Sequence, residues 1–491
     1  MRKSGILMHI SSLPSPYGIG SFGAEAWRFV DFLAAGGQRF WQVLPLSPTG
    51  FGDSPYQSCS AFAGNPYFID LDLLREAGLL ENEDYVNLNW GADPCRVDYA
   101  LLYTQRFSVL RKAAARFDAQ ADHDFARFCA GEAAWLDDYA LFMALKDAHG
   151  GGAWTQWERP LRFREAGALD EARRVYDADI RFYKVLQYFF SRQWNALHAY
   201  ARGKGLEIIG DIPIYAAPDS ADVWAHPELF LLDAERLPEA VAGCPPDGFT
   251  ADGQLWGNPL YDWDRHRENG FVWWIARMRR AFVIYDVLRI DHFRGFEAFY
   301  AIPFGEETAR NGRWLPGPGL ALFEAVREQL GEKPIIAEDL GFLTDGVRRL
   351  LADCGFPGMK VLQFAFDGNP ENPYLPHNYS RNCAAYTGTH DNDTILGWFR
   401  SAPREEINRA KDYLRLPPGE SAPRCVIASL WASTADLAVA PLQDLLEFGS
   451  EGRMNTPGSP CGNWQWRLRP GTNLTEPARW LRHVTELYGR R

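Results

Sequence analysis

Four apolar runs in this sequence end in carboxylates. Tyr285-Asp286-Val287-Leu288-Arg289-Ile290-Asp291 closes on an acid followed by His292, and Ile335-Ile336-Ala337-Glu338-Asp339-Leu340-Gly341 closes on an acid pair and a glycine turn. Leu206-Glu207-Ile208-Ile209-Gly210-Asp211 ends the same way, and the run from Ala384 delivers Thr389-His390-Asp391-Asn392-Asp393. Side chains alternate along a strand with a period of two, so Val287, Arg289 and Asp291 share one face. An Arg and an Asp aimed into one interior must pair, because an isolated buried charge is costly. Taken singly, each acid has a simpler account, as a buried ion pair or as the N-cap of the next helix, Asp339 among the caps. Four such endings, two with a neighbouring histidine, imply a cluster of carboxylates at one mouth. Glycosyl transfer needs that set: one carboxylate as acid and base, a second as nucleophile, and donors for the sugar hydroxyls.

The elements that must hold such a cluster are short β-like runs at 5–10, 39–45, 206–211, 285–291, 334–338, 359–364, 384–389 and 437–441. Helical patterns lie between several of them: Trp27, Val30 and Leu33 fall on one face, as do Val347, Leu350 and Leu351. Alternating strands and helices imply parallel strands with crossover helices, and eight units imply an α/β fold, the closed (β/α)8 TIM barrel. Active sites of that barrel sit at the C-terminal ends of its strands. From Pro45 to Leu206 is 161 residues, far more than one crossover requires. Residues 70–179, rich in Ala, Arg, Leu and Glu, read as a mostly helical inserted subdomain. Residues 212–284, dense in Pro, Gly and Trp, read as a loop-rich insertion bordering the active site. The whole of 1–491 is then a single catalytic barrel, closed by a helix around 480–487 with no linker or repeat dividing it.

Composition removes other classes. The chain has 491 residues, 46% hydrophobic and 23% charged, ordinary soluble usage. With 51 Lys and Arg against 63 Asp and Glu, the net charge is −12, which disfavours nucleic acid as a partner. The one basic cluster, Arg277, Arg279 and Arg280, reads as a solvated helix face. No apolar run reaches the ~18 residues of a membrane helix, and the N-terminal run is too short for a signal peptide. Eight cysteines without a CxxC pair read as reduced packing thiols in a cytoplasmic protein, with no zinc site. No Walker loop, GxGxxG turn, HExxH helix, GxSxG elbow or complete calcium loop is present, so no metal or cofactor is implied. Aromatic residues make up 14% of the chain and suit both core packing and stacking on sugar rings.

A set of longer motifs carries a resemblance. They are Ser12-Leu13-Pro14-Ser15-Pro16-Tyr17-Gly18-Ile19-Gly20, Trp41-Gln42-Val43-Leu44-Pro45-Leu46 and Gly52-Asp53-Ser54-Pro55-Tyr56-Gln57. Gly210-Asp211-Ile212-Pro213-Ile214-Tyr215, Pro245-Pro246-Asp247-Gly248-Phe249 and Trp256-Gly257-Asn258-Pro259 follow. Then come Leu288-Arg289-Ile290-Asp291-His292-Phe293-Arg294-Gly295, Ala337-Glu338-Asp339-Leu340-Gly341, Gly388-Thr389-His390-Asp391-Asn392-Asp393 and Arg453-Met454-Asn455-Thr456-Pro457-Gly458. In this order they resemble the 4-α-glucanotransferases (amylomaltases) of glycoside hydrolase family 77, relatives of the α-amylase barrels.

The resemblance implies retaining transfer of α-1,4-glucan segments among maltooligosaccharides. By motif match Asp291 is the nucleophile, Glu338 the general acid/base, and Asp391 the acid that binds sugar hydroxyls and stabilises the transition state. Arg289, His292, His390 and Asp211 match positions around the reacting sugar, and Tyr56 resembles the aromatic stacked beside it. Residues 245–249 with Gln254 and Trp256 resemble a mobile loop over the acceptor side, and Asn258 joins the substrate-binding set. Arg289 is expected to keep Asp291 ionised, and two ionised neighbours to raise the pKa of Glu338. Ser21 and Thr250 stand where the family often has Asp and Ser, away from the proposed catalytic trio. No starch-binding module precedes the barrel, so the resemblance is to the short bacterial form. The same trio serves an amylase-like hydrolase, and the loop and Tyr56 are what favour transfer. A catalytically dead glucan-binding barrel would not need all three acids. Oligomeric state is left open.

Overall fold

Eight short parallel strands close on one another, and four antiparallel strands stand beside them. In the computed structural model, residues 2–50, 52–246, 251–341, 343–459 and 461–490 are described. The strands in chain order are β1 (Lys3–Leu7), β2 (Phe40–Gln42), β3 (Glu207–Ile212), β4 (Ala240–Cys244), β5 (Gln254–Pro259) and β6 (Val287–Ile290). They continue with β7 (Ala298–Pro303), β8 (Arg313–Pro316), β9 (Ile335–Ala337), β10 (Gly358–Val361), β11 (Cys383–Tyr386) and β12 (Leu437–Pro441). The closed barrel runs β1-β12-β11-β10-β9-β6-β3-β2, and the second sheet runs β5-β4-β7-β8. All eight expected strands are the barrel strands.

Several are shorter than their apolar runs. The chain leaves β1 and turns into a 3-10 segment at Ile10–Ser12, and after β10 it does so at Leu362–Phe364. Residues 10–12 and 362–363 are buried as deeply as strand residues, so hydrophobicity alone could not mark the strand ends. Both faces of these strands are covered, which gives the continuous apolar runs of a parallel sheet. Gly210 sits in β3 where a Cβ would come within 2.0 Å of the Tyr285 ring, so no larger residue fits there.

Between β2 and β3 lie the helices Leu71–Glu76, Tyr99–Arg116, His123–Ala148, Arg159–Arg162, Ala166–Val175 and Asp177–Gly203. Asp caps start three of them: Asp70, Asp98 and Asp122 each accept a backbone N–H three residues on. Ser21 donates to the same Asp70 at 2.6 Å. The stretch 212–284 holds more regular structure than its composition implied, namely β4, β5 and the helices Ala221–Ala225, Trp263–Glu268 and Val272–Ile284.

The expected solvated Arg face on Val272–Ile284 is a correction. Only Arg279 is exposed, while Arg277 and Arg280 are buried. Arg277 donates to the carbonyls of Ile214 (3.0 Å) and Pro213 (2.5 Å). Arg280 donates to Phe62 O and pairs with Glu132 at 3.1 Å. Arg277 thereby fixes the backbone that leaves β3 at the barrel mouth. Among the described residues no helix is long and apolar enough to cross a membrane.

Candidate active site

Strand register builds the site. Asp211 pairs with Arg289 and Ile212 with Ile290 across β3 and β6, and Ile290 pairs with Ala337 across β6 and β9. The next residues, Asp291 and Glu338, therefore leave adjacent strands side by side and on the same face. The backbone keeps that alignment beyond the strands: Asp291 N donates to Ile212 O and Glu338 N to Ile290 O, each at 3.0 Å.

Below them one guanidinium serves several acids. Arg289 donates to Asp211 Oδ2 at 2.5 Å and lies 3.1 Å from Asp291 Oδ1. The Arg289 and Asp211 side chains are 4% and 0% exposed, whereas Asp291 keeps 28% of its side chain open to the cleft. Tyr56 O–H also donates to Asp211 Oδ2, at 2.8 Å. Burial alone would weaken the hold of Arg289 on its proton, but Asp211 and Asp291 outweigh it and push its pKa well above the usual value.

Glu338 is held at both oxygens. Oε2 accepts the His292 amide at 2.7 Å and Oε1 the Leu340 amide at 2.9 Å. His292 adopts the left-handed region (φ 50°), unusual for a non-glycine residue, and this turn aims its N–H at Glu338. Asp339 does not cap a helix: it accepts the Met359 amide at 2.6 Å, tying β9 to β10, and Thr344 caps the following helix instead.

Burial pushes the Asp291 carboxyl well above its ordinary range, Arg289 opposes this, and Asp211, Glu338 and Asp391 add to it. Glu338 is raised too, by burial first, with Arg289 and the two amides pulling it down. The expectation that Arg289 keeps Asp291 ionised thus leaves out burial and the other acids, and Glu338 is raised as expected but by burial first rather than by two ionised neighbours. Burial thus raises both Asp291 and Glu338, and the charge of Arg289 opposes it at both. Burial lowers His390, and it lowers His292 to about 3, which keeps both rings neutral. His292 Nε2 is buried without a hydrogen-bond partner among the described residues, available to a ligand.

Around this floor opens a cleft of about 920 Å³. Tyr56 stacks on His390 (5.0 Å, 17°), and Trp464 stands 5.7 Å from both rings. On another wall Trp256 meets His292 edge-on at 4.8 Å, and its indole N–H donates to Gln254 at 3.0 Å. Asn258 is buried and spends its carboxamide on Gln57 and the Ala216 carbonyl, so it holds the wall. Asp391 lies across the cleft with His390 Nε2 at 3.4 Å. The structure thus gathers Asp291, Glu338, Asp391, Arg289, Asp211, His292, His390, Tyr56, Gln254, Trp256 and Asn258 at one mouth. Of the expected covering loop, residues 247–250 lie outside the described residues. Sequence reasoning missed Trp464 and left Asn455 without a role. The motif at 453–458 was the one signal that pointed to that segment.

The comparisons with known proteins agree with this geometry. A family model described as 4-alpha-glucanotransferase matches residues 8–474. The chain belongs to the 4-alpha-glucanotransferase family. It is 51% identical to the 4-alpha-glucanotransferase of Thermus thermophilus over 99% of this chain and 98% of that one. It is 48% identical to the Clostridium butyricum enzyme over 98% of this chain and the whole of that one. Among solved structures, the amylomaltase from Streptococcus agalactiae in complex with acarbose superposes with a TM-score of 0.98 at 46% identity, covering 100% of both chains. Among the described residues no group of three His, Cys, Asp or Glu is arranged to hold a metal ion.

Proposed function

We propose that this chain is a 4-α-glucanotransferase that moves an α-1,4-glucan segment from a donor to the 4-hydroxyl of an acceptor glucan or glucose. The observation that carries the reading is the register of β6 and β9, which sets Asp291 and Glu338 side by side in an aromatic-walled cleft. The Asp291 carboxylate attacks the anomeric carbon while Glu338 gives its proton to the departing glycosidic oxygen. That bond breaks, the shortened glucan leaves with a free 4-hydroxyl, and an ester joins the sugar to Asp291. An acceptor 4-hydroxyl then attacks the same carbon, its proton passes to Glu338, and the ester breaks. Two inversions give retention.

Asp391 binds ring hydroxyls and stabilises the positive charge that develops on the sugar. Arg289 and Asp211 set the charge on Asp291, His292 and His390 donate to the sugar as neutral rings, and Tyr56 offers a stacking face. Gln254 and Trp256 line the acceptor side, where binding a glucan displaces the water that would otherwise hydrolyse the ester. In this reading 1–491 is a single catalytic barrel, 70–179 an inserted helical subdomain, and 212–284 the insertion bordering the site. With it goes the cytoplasmic location read from the scattered cysteines.

The test is incubation with pure maltotriose and no added cofactor. Glucose plus a ladder of longer maltooligosaccharides, with little gain in reducing ends, is expected. Shorter sugars alone, with reducing ends rising, would make the protein a hydrolase.

A further inference from the structure

The motif Arg453-Met454-Asn455 has no part in the chemistry described so far, yet it is bonded to the end of β11 at three points. Asn455 Nδ2 donates to Asp391 Oδ1 at 2.6 Å. The Asn455 backbone N–H donates to His390 O at 3.0 Å, and Arg453 Nη2 to Asp391 O at 2.7 Å. The strap is itself stiffened, since Arg453 Nε donates to Asn455 O at 2.8 Å. It is also anchored, since Trp464 N donates to Met454 O at 2.8 Å, tying it to the segment whose indole stands beside Tyr56 and His390.

Asp391 needs this support more than its neighbours do. Asp291 and Glu338 are aligned by strand register, but Asp391 stands five residues beyond Tyr386, the last residue of β11, on a turn held by Asn392. Its side chain is 41% exposed, and among the described residues the hydrogen bond and the ion pair to its carboxylate, from Asn455 Nδ2 and His390 Nε2, both meet Oδ1. One oxygen is thus committed to the protein while the other is left for the cleft.

We propose that Asn455 is a positioning residue for Asp391: it fixes Oδ1, and so aims Oδ2 at the sugar hydroxyls of the reacting residue. This rests on the reading of Asp391 as the acid that stabilises the transition state. Hydrogen bonds to the reacting sugar strengthen as the ring flattens, so misaiming Asp391 lowers kcat more than it raises KM.

The test uses the full-length enzyme and maltotriose disproportionation, with Tm recorded for every variant. Asn455→Ala is expected to lower kcat by roughly 10–100-fold with KM changed by less than about threefold, a scale that reaches the loss from a misplacement of about 1 Å at a reacting centre. Asn455→Asp keeps the shape and sets a second carboxyl against Asp391, so the acid limb of the pH–rate profile is expected to move to higher pH. In an Asp391→Asn background, Asn455→Ala is expected to cost little further. A loss in KM alone, an unmoved pH profile for Asn455→Asp, or full multiplicative loss in the Asp391→Asn background would overturn the positioning role while leaving Asp391 in place. An Asp391→Asn enzyme with near-normal kcat would overturn both.

Discussion

The two ends of β6 carry the same residue type in opposite circumstances. Asp286 precedes the strand and Asp291 follows it. At the lower end, Asp286 lies 2.7 Å from His198 Nε2, accepts the Ile208 amide at 2.8 Å and stands 3.3 Å from Arg202. Burial pushes its carboxyl up, but His198, the amide and Arg202 outweigh burial and hold it below its ordinary value. At the upper end, Asp291 has one cation, shared with Asp211, and three acids nearby, and its pKa is pushed up. One end is saturated with donors and the other is left short of them. On the proposed mechanism that shortage suits a carboxylate that exchanges its charge for a bond to sugar, whereas saturation ties Asp286 to the fold.

Substitutions at the two ends sharpen that contrast. Asp291→Asn is expected to cut maltotriose transfer by about 10⁴-fold or more, the scale of losing a nucleophile, whereas Asp286→Asn leaves kcat of the folded enzyme within about threefold. Comparable losses at both ends would erase the distinction.

Stability is expected to move the other way. Asp286→Asn leaves donors at His198 and Ile208 without their charged acceptor, a loss of about 1–3 kcal/mol at pH 7 in urea unfolding. Because the folded pKa of Asp286 is depressed, its contribution is present above the unfolded carboxyl value and is lost as pH falls through the folded one. The variant and the wild type therefore converge in acid.

Asp291 has a raised pKa, so the wild type loses stability as pH rises from the unfolded carboxyl value through the folded one. Asp291→Asn removes that cost and is expected to raise Tm at neutral pH, with no gain in acid. A fall in Tm at pH 7 would mean that Arg289 more than compensates the acids.

The smallest effect is a shift in pH dependence. Asp211 raises the Asp291 pKa and occupies Arg289, so Asp211→Asn is expected to move the acid limb of kcat/KM to lower pH. Movement to higher pH would show that Asp211 acts mainly by orienting Arg289.

What the sequence made legible follows from the range over which each signal acts. Period-two alternation and an acid at a strand end are local, and they placed Asp291, Glu338, Arg289 and Asp211 on the right elements. The partners of Arg277 are carbonyls 63 and 64 residues away, which no local pattern reveals, so a buried anchor read as a solvated face. The second sheet is joined by the pairing of β4 with β7, strands far apart in the chain, with Ala240 opposite Pro303 and Gly243 opposite Tyr300. Asn455 and Trp464 reach the cleft from a stretch without periodicity.

The most direct test of the account is to find where the sugar is held. An α-maltosyl fluoride offered to Glu338→Gln needs no proton donor for its leaving group, so a glycosyl-enzyme should form and then be released slowly. In an acid-quenched digest, added maltosyl mass is expected on the peptide that contains Asp291, and none when Asp291→Asn is introduced as well. An adduct on another carboxylate, or none under conditions where fluoride is released in a burst, would contradict it.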